Sequence, residues 1–155
     1  MKNVRKVVVG ILALVMAFAM TACGGKEQSV TYRMVQEESG LAITDEITLE
    51  AKGDVVQKMI EKIEVDTSVL DATQKEQIVA IYGEVVAMYQ AVEGVECTGV
   101  AGDNNYTMDI VIDATGSAVE ELTELGLLEL DGMGNGISLK ASQAGFEASG
   151  YTIVE

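Results

Sequence analysis

Histidine, proline and tryptophan are absent from this 155-residue chain, and cysteine occurs twice, as Cys23 and Cys97. Without histidine there is no Ser-His-Asp or Cys-His nucleophile and no imidazole ligand for zinc or iron. Two cysteines, one of them near the N-terminus, cannot form a CxxC metal or redox pair. Cations are also scarce: 10 Lys and Arg face 25 Asp and Glu, a formal charge of -15. Nucleic-acid binding depends on Lys and Arg neutralising phosphates, so that partner is excluded. An acidic domain is likewise repelled by anionic lipid. Apolar residues still make up 48% of the chain. They recur with regular spacing, which separates this acidity from the composition of a disordered segment.

The three cations that precede Lys26 are Lys2, Arg5 and Lys6, followed by an apolar run from Val7 to Met20. A basic start, an apolar core and small residues at a cleavage position form a secretory signal. Retention of the positive end in the cytoplasm sends the remainder across the membrane. Met20-Thr21-Ala22-Cys23, followed by Gly24-Gly25, resembles the lipobox of bacterial lipoproteins. The resemblance implies cleavage after Ala22 and a diacylglyceryl group on the Cys23 thiol. The expected organisation is a signal peptide over 1–22, a lipidated cysteine and short tether over 23–29, and one domain over 30–155. The mature chain then has 133 residues, seven cations and all 25 acids, a formal charge of about -18. That length suffices for one domain with a real core.

Beyond the tether, Thr31–Val35 reads as a strand. Leu41, Ile43, Ile47, Leu49 and Ala51 share one parity, broken by Asp45, while Thr44, Glu46, Thr48 and Glu50 take the other. This is the period of a half-buried strand. Lys52-Gly53-Asp54 supplies a hairpin turn, and Val55–Val65 returns as partner. Long strands with one wet face favour an antiparallel meander. Thr73 and Glu76 have the spacing of a capping box, opening a helix over 74–92 with Ile78, Ile81, Tyr82, Val85, Met88, Tyr89 and Val92 on one face and Gly94 as terminator. A second hairpin joins Val95–Val100 to the strand Tyr106–Asp113. Ser117 and Glu120 suggest another capping box and a helix through Leu125. A flexible turn at 132–136, a helix over 139–149 and a last strand near Tyr151–Val154 complete the reading. The fold class is α+β: one domain, mainly an antiparallel sheet of five to seven strands packed against one long and two short helices.

Among candidate sites, Asp103, Asn104, Asn105 and Asp109 offer oxygen ligands of the kind calcium takes. Their spacing lacks the EF-hand loop, and Asp and Asn serve a hairpin turn equally well. Asp131-Gly132-Met133-Gly134-Asn135-Gly136 lacks the Lys-Ser or Lys-Thr of a phosphate loop. Glu120 and Glu124 lie one turn apart but need a facing cleft for hydrolytic chemistry. Tyr82 and Tyr89 read as core aromatics with a polar oxygen to satisfy, and Cys97 as a small buried hydrophobe. No catalytic residue and no cofactor emerge from the pattern.

These pieces in this order resemble the YehR-like family of small bacterial lipoproteins. The resemblance rests on Thr31-Tyr32, the Gly53-Asp54 turn with its Val/Lys-rich strand, and the helix reaching Tyr89 and Val92-Glu93-Gly94-Val95. It continues through Ile110-Val111-Ile112-Asp113, Glu121-Leu122, Ile137-Ser138-Leu139-Lys140-Ala141-Ser142 and Gly150-Tyr151. This chain is more acidic than the pattern and has Tyr151 where Phe is usual. The resemblance implies an α+β lipoprotein domain and transfers no catalytic residue. The combined expectation is a non-enzymatic binding domain, held at the extracytoplasmic face of the cell membrane through Cys23. Its partner would be a small ligand, a cation or an envelope protein. The alternatives are a structural envelope protein and a small carboxylate-based hydrolase.

Overall fold

A computed structural model describes residues 15–17, 25–38, 40–131 and 136–154. Cys23, most of the 1–22 segment and the Gly132–Asn135 part of the glycine-rich turn lie outside the described residues. The chain forms strands β1 (Val15–Ala17), β2 (Glu27–Glu38), β3 (Leu41–Lys52) and β4 (Val55–Asp66), then helix α1 (Ala72–Gln90). Strands β5 (Val95–Ala101) and β6 (Asn105–Asp113) follow, then α2 (Ala118–Glu124), β7 (Glu129–Asp131), α3 (Leu139–Ala148) and β8 (Thr152–Val154). Six strands make one sheet in the order β5-β6-β4-β3-β2-β8, with every neighbour antiparallel, while β1 pairs with β7 in a separate parallel ladder. The main sheet does not include β1, so cleavage after Ala22 would leave it whole. The expected α+β architecture of one sheet, one long helix and two short ones is the one observed.

Alternation explains which face is covered. Along β3 every odd residue from Leu41 to Ala51 is buried and every even residue to Glu50 is half-buried, because successive side chains leave opposite faces. On β4 the buried parity changes from Val56 to Met59, Glu61, Ile63 and Val65. The cause is a break in pairing: Glu50 faces Lys58 and Ala51 faces Val56, leaving Gln57 as the extra residue of a bulge. Gly53 turns the β3–β4 hairpin with φ +64°, a left-handed conformation that glycine adopts without steric cost. Asp54 beside it does more than turn the chain. Its carboxylate accepts from Ser138 Oγ at 2.8 Å and Lys140 N at 2.9 Å, tying the start of α3 to the hairpin.

Several boundaries differ from the sequence expectation for identifiable reasons. β2 begins at Glu27, within the stretch read as tether, because β3 offers partners as far as Lys52. α1 starts at Ala72: Asp71 is the N-cap, accepting from Gln74 N at 2.9 Å while Gln74 Oε1 accepts from Asp71 N. The box is therefore Asp71/Gln74, and Thr73 and Glu76 lie inside the helix. The helix ends at Gln90, with Ala91 as C-cap, and Gly94 at φ +85° leads into β5. Ser117 has helical backbone angles and makes no side-chain cap, so the expected second capping box does not form. Asp113 holds the turn that precedes α2, accepting from Thr115 N and Thr115 Oγ1. α3 is capped by Ser138, whose Oγ accepts from Ala141 N.

Candidate functional site: a buried acidic pair

The buried residues of the sheet's inner face are uncharged except at two points. Asp45 is 1% exposed and Glu61 is 4% exposed. The strand registers place them together. One row across the sheet runs Met34, Asp45, Ile63, Met108, Gly99; the next runs Tyr32, Ile47, Glu61, Ile110, Cys97. Asp45 and Glu61 are thus diagonal neighbours on β3 and β4, a relation that separates backbones by about 7–8 Å and lets long side chains meet. Tyr32, Ile47, Ile63, Met108 and Ile110 around them are all at most 1% exposed.

Two helices and the C-terminus close this region. Tyr151, just before β8, donates its hydroxyl to Asp45 Oδ2 at 2.6 Å, and its ring packs edge-on against Phe146 of α3 at 5.1 Å. Phe146 in turn lies 4.7 Å from the ring of Tyr32. From the other side α1 brings Tyr89, whose hydroxyl donates to Leu127 O at 3.3 Å. Among the described residues Asp45 Oδ1 and Glu61 Oε1 have no hydrogen-bond partner, and no Lys or Arg forms an ion pair with either acid.

The electrostatics follow from this setting. Removing a carboxylate from water disfavours its charged form. Burial pushes Asp45 up to about 6, the Tyr151 hydrogen bond acting in the opposite sense. Glu61 is raised well above the ordinary carboxylate range, by burial first and then by the charge of Asp45. Tyr151 and Tyr89 are both raised, by burial first and then by the nearby acids. Burial, followed by Glu61 and Asp109, lifts the Cys97 thiol to about 11, which keeps it protonated and unreactive near neutrality. The site can therefore hold protons within the core and release them as pH rises. Both acids are sealed from solvent in this arrangement.

The residues singled out from sequence lie elsewhere. Asp103 and Asn104 occupy the β5–β6 turn, where Lys75 Nζ donates to Asp103 O at 2.6 Å and to Asn104 Oδ1 at 3.2 Å. Asn105 donates to Glu64 Oε1 at 3.1 Å. Asp109 stands four residues along β6, opposite Lys62, a separation of roughly 13 Å at strand rise. The turn and Asp109 are thus not brought together, and no set of three or more acidic or cysteine residues is placed to hold a metal among the described residues. Glu120 and Glu124 are exposed on α2. Tyr82 and Tyr89 are core residues, Tyr82 packing 5.0 Å from Tyr106, and Cys97 is 3% exposed. In the sequence Asp45 stands out as a break in alternation, whereas Glu61 does not draw the eye. Its signal is present all the same: Glu61 shares its parity with Met59, Ile63 and Val65.

Comparison with known proteins agrees with this architecture. The model of a protein family of unknown function, DUF1307, matches residues 28–152. An uncharacterized lipoprotein of Listeria innocua, Lin0239, is 26% identical over 100% of this chain and 99% of its own length. A Listeria monocytogenes counterpart, Lmo0207, is 24% identical over 97% of each. Among solved structures, the NMR structure of the E. coli YehR protein superposes with TM-score 0.61 at 22% identity, covering 84% of this chain and 93% of that one. The NMR structure of a Streptococcus pneumoniae TIGR4 protein superposes with TM-score 0.51 at 12% identity, over 88% and 90%. At these identities the two structures share the fold.

Proposed function

The chain belongs to the DUF1307 family, and from that footing we propose that it is a lipid-anchored, extracytoplasmic binding domain that acts by contact with an envelope partner and not by catalysis. The observation that carries this reading is the closure of the interior. Asp45, Glu61, Tyr89 and Cys97 are the buried groups best suited to acid–base or nucleophilic chemistry, and each is at most 4% exposed. A ligand pocket needs a concave, accessible lining with convergent polar groups. The concavities here are open surface depressions; one of about 660 Å³ is lined by Glu27, Gln28, Ser29, Glu50, Lys52 and Gln57 and touches the core only at Ala51.

Contact with a macromolecule demands less. The outer face of the sheet carries Thr31, Thr48, Ile60 and Val111 in one cross-strand row, and Arg33, Glu46, Lys62 and Asp109 in the next. Half-buried Ile60 and Val111 beside exposed Arg33, Lys62 and Asp109 give this face a small aliphatic centre and a charged rim, the layout of a protein contact. Full-length similarity to two Listeria lipoproteins supports an anchor at Cys23, and a diacyl anchor keeps the domain near other envelope components.

The test is native mass spectrometry of the full lipidated protein, extracted from its own host in mild detergent. A co-purifying envelope protein is the expected result. A retained small molecule with no protein partner would oppose the contact reading. Turnover of any substrate that is lost in both Asp45→Asn and Glu61→Gln would overturn the non-catalytic one.

A further inference from the structure

The buried acidic pair leaves two oxygens unaccounted for. Asp45 on β3 and Glu61 on β4 are diagonal neighbours on the inner face, and among the described residues Asp45 Oδ1 and Glu61 Oε1 are buried without a hydrogen-bond partner. A charged oxygen in that state is costly, and two of them on adjacent acids repel each other as well. A cationic side chain would relieve both. The ion pairs of the described residues instead join Arg33 to Glu46 and Lys58 to Glu50, on the other face of β3.

The groups packed against the pair supply no positive charge. β2 contributes Tyr32, α1 Tyr89, β5 Cys97 and the residue before β8 Tyr151, and burial raises all four, so each is neutral at pH 7. Beyond them the charges are negative: Glu147 of α3 acts on Tyr32, and Asp109 of β6 acts on Cys97 after Glu61. β6 otherwise contributes Met108 and Ile110, and α3 contributes Phe146, packed against the rings of Tyr32 and Tyr151. Two free oxygens are too few for a metal ion, which takes four to eight ligands. They are the number that one proton needs.

Tyr151 decides which acid carries that proton. Its hydroxyl donates to Asp45 Oδ2 at 2.6 Å, and a hydrogen bond to the charged form favours that form. The bond lowers Asp45 against the effect of burial, whereas burial and the charge of Asp45 both raise Glu61. Asp45 is therefore the anion and Glu61 the acid. We propose that Glu61 is protonated in the folded protein and donates from Oε1 to Asp45 Oδ1, and that this one buried proton keeps the segment Tyr151–Val154 closed against the sheet. Asp45 then accepts one hydroxyl at each oxygen, and the pair holds a single negative charge in a charge-assisted hydrogen bond.

The C-terminal segment is the part that can yield. β8 has three residues, pairs only with Thr31, Tyr32 and Arg33 of β2, and leaves Ile153 47% exposed. β3 and β4, which carry the acids, are paired along nearly their whole length. Loss of the Glu61 proton to water puts two charges side by side in an apolar core. Withdrawing Tyr151 from Asp45 uncovers the acids to solvent, so opening is coupled to the release of one proton. A group that binds its proton more tightly in the closed state favours closure at low pH, and that preference fades as pH rises.

The experiment compares the full-length lipoprotein in detergent micelles with Glu61→Gln, whose amide donates to Asp45 Oδ1 as the acid does but has no proton to lose between pH 6 and 8. The infrared difference spectrum, wild type minus E61Q at pH 7, is expected to contain a protonated carboxylic-acid band that shifts in heavy water, as the lipid esters do not. No such band overturns the shared proton; a water bridging the two oxygens would give that result. Hydrogen exchange read by NMR then tests the closure. Corrected for intrinsic exchange, protection of the Tyr151–Val154 amides should fall about tenfold per pH unit from pH 6 to 8 in wild type, the slope of one proton, and stay level in E61Q. Level protection in wild type, or the same fall in E61Q, overturns the coupling. Protection equal to that of β3 and β4 overturns it too, because the whole domain would then be unfolding. Glu61→Met, apolar and of similar length, gives the same two comparisons should E61Q fail to fold.

Discussion

Replacing Asp45 by asparagine keeps its shape and removes its titration, which isolates the energetic cost of the buried acid. In the folded protein Asp45 holds its proton up to about pH 6, against about 3.9 for an unfolded aspartate. A group with a raised folded pKa binds more protons folded than unfolded, so its contribution to stability is fully present below about pH 4 and is lost as pH rises to about 6. A shift of about two units corresponds to roughly 3 kcal/mol. The side-chain carbonyl that D45N introduces would still accept from Tyr151, so that bond survives the substitution. The expectation is therefore equal stability of D45N and wild type near pH 4, and a D45N advantage at pH 7 approaching 3 kcal/mol, or roughly 10 °C in Tm. Urea titrations at pH 4, 5, 6 and 7, followed by circular dichroism, measure both curves. The other acids form a background common to both proteins except Glu61, which the charge of Asp45 helps to raise; losing that charge acts in the same direction as the substitution, so the difference between the curves is the quantity to read. A constant difference from pH 4 to 7, or a D45N protein less stable than wild type at pH 7, would refute the argument.

Other expectations are smaller in scope. Tyr151→Phe removes the donor to Asp45 Oδ2 and leaves that oxygen buried; a loss of about 1–3 kcal/mol is expected in thermal melts, with Asp45 titrating at higher pH by carboxyl NMR, and an unchanged titration would count against the bond. Asp71→Ala should cost about 1 kcal/mol while Thr73→Ala costs little, because Asp71 receives the Gln74 amide; equal costs in urea unfolding would return the cap to Thr73. Cys97 should resist maleimide in the native protein and react once urea unfolds it, since the thiol is buried and raised to about 11; fast native labelling would reject its burial. Cys23→Ser should shift the protein from the detergent phase to the aqueous phase, and equal partitioning would sink the lipidation reading.

Local rules carried most of the fold. Period-two alternation in Leu41–Ala51 and the Gly53-Asp54 turn specify a hairpin because each residue's face depends only on its neighbours. The apolar stripe from Ile78 to Tyr89 specifies a helix for the same reason. Neither expected capping box forms: Asp71 takes the Gln74 amide ahead of Thr73, and Ser117 carries helical backbone angles in place of the extended ones an N-cap needs. The bulge at Gln57 was hidden since it arises from the mismatch between two strands, not from either alone.

By itself, then, the sequence determined the α+β class, the helix and hairpin positions, the buried state of Cys97 and Tyr89, and the absence of any histidine chemistry. It also marked Asp45 as an exception to its strand. Only the tertiary structure decided what that exception means. Asp45 and Glu61 are 16 positions apart, and their meeting depends on the register of β3 against β4 and on Tyr151 arriving from 106 residues away. Burial and proximity are sums over the whole fold, and no window of neighbouring residues contains them. The place of β5 at the end of the described sheet is of the same kind: a strand's pattern tells which face is apolar, but which strands lie beside it is set by the strand order.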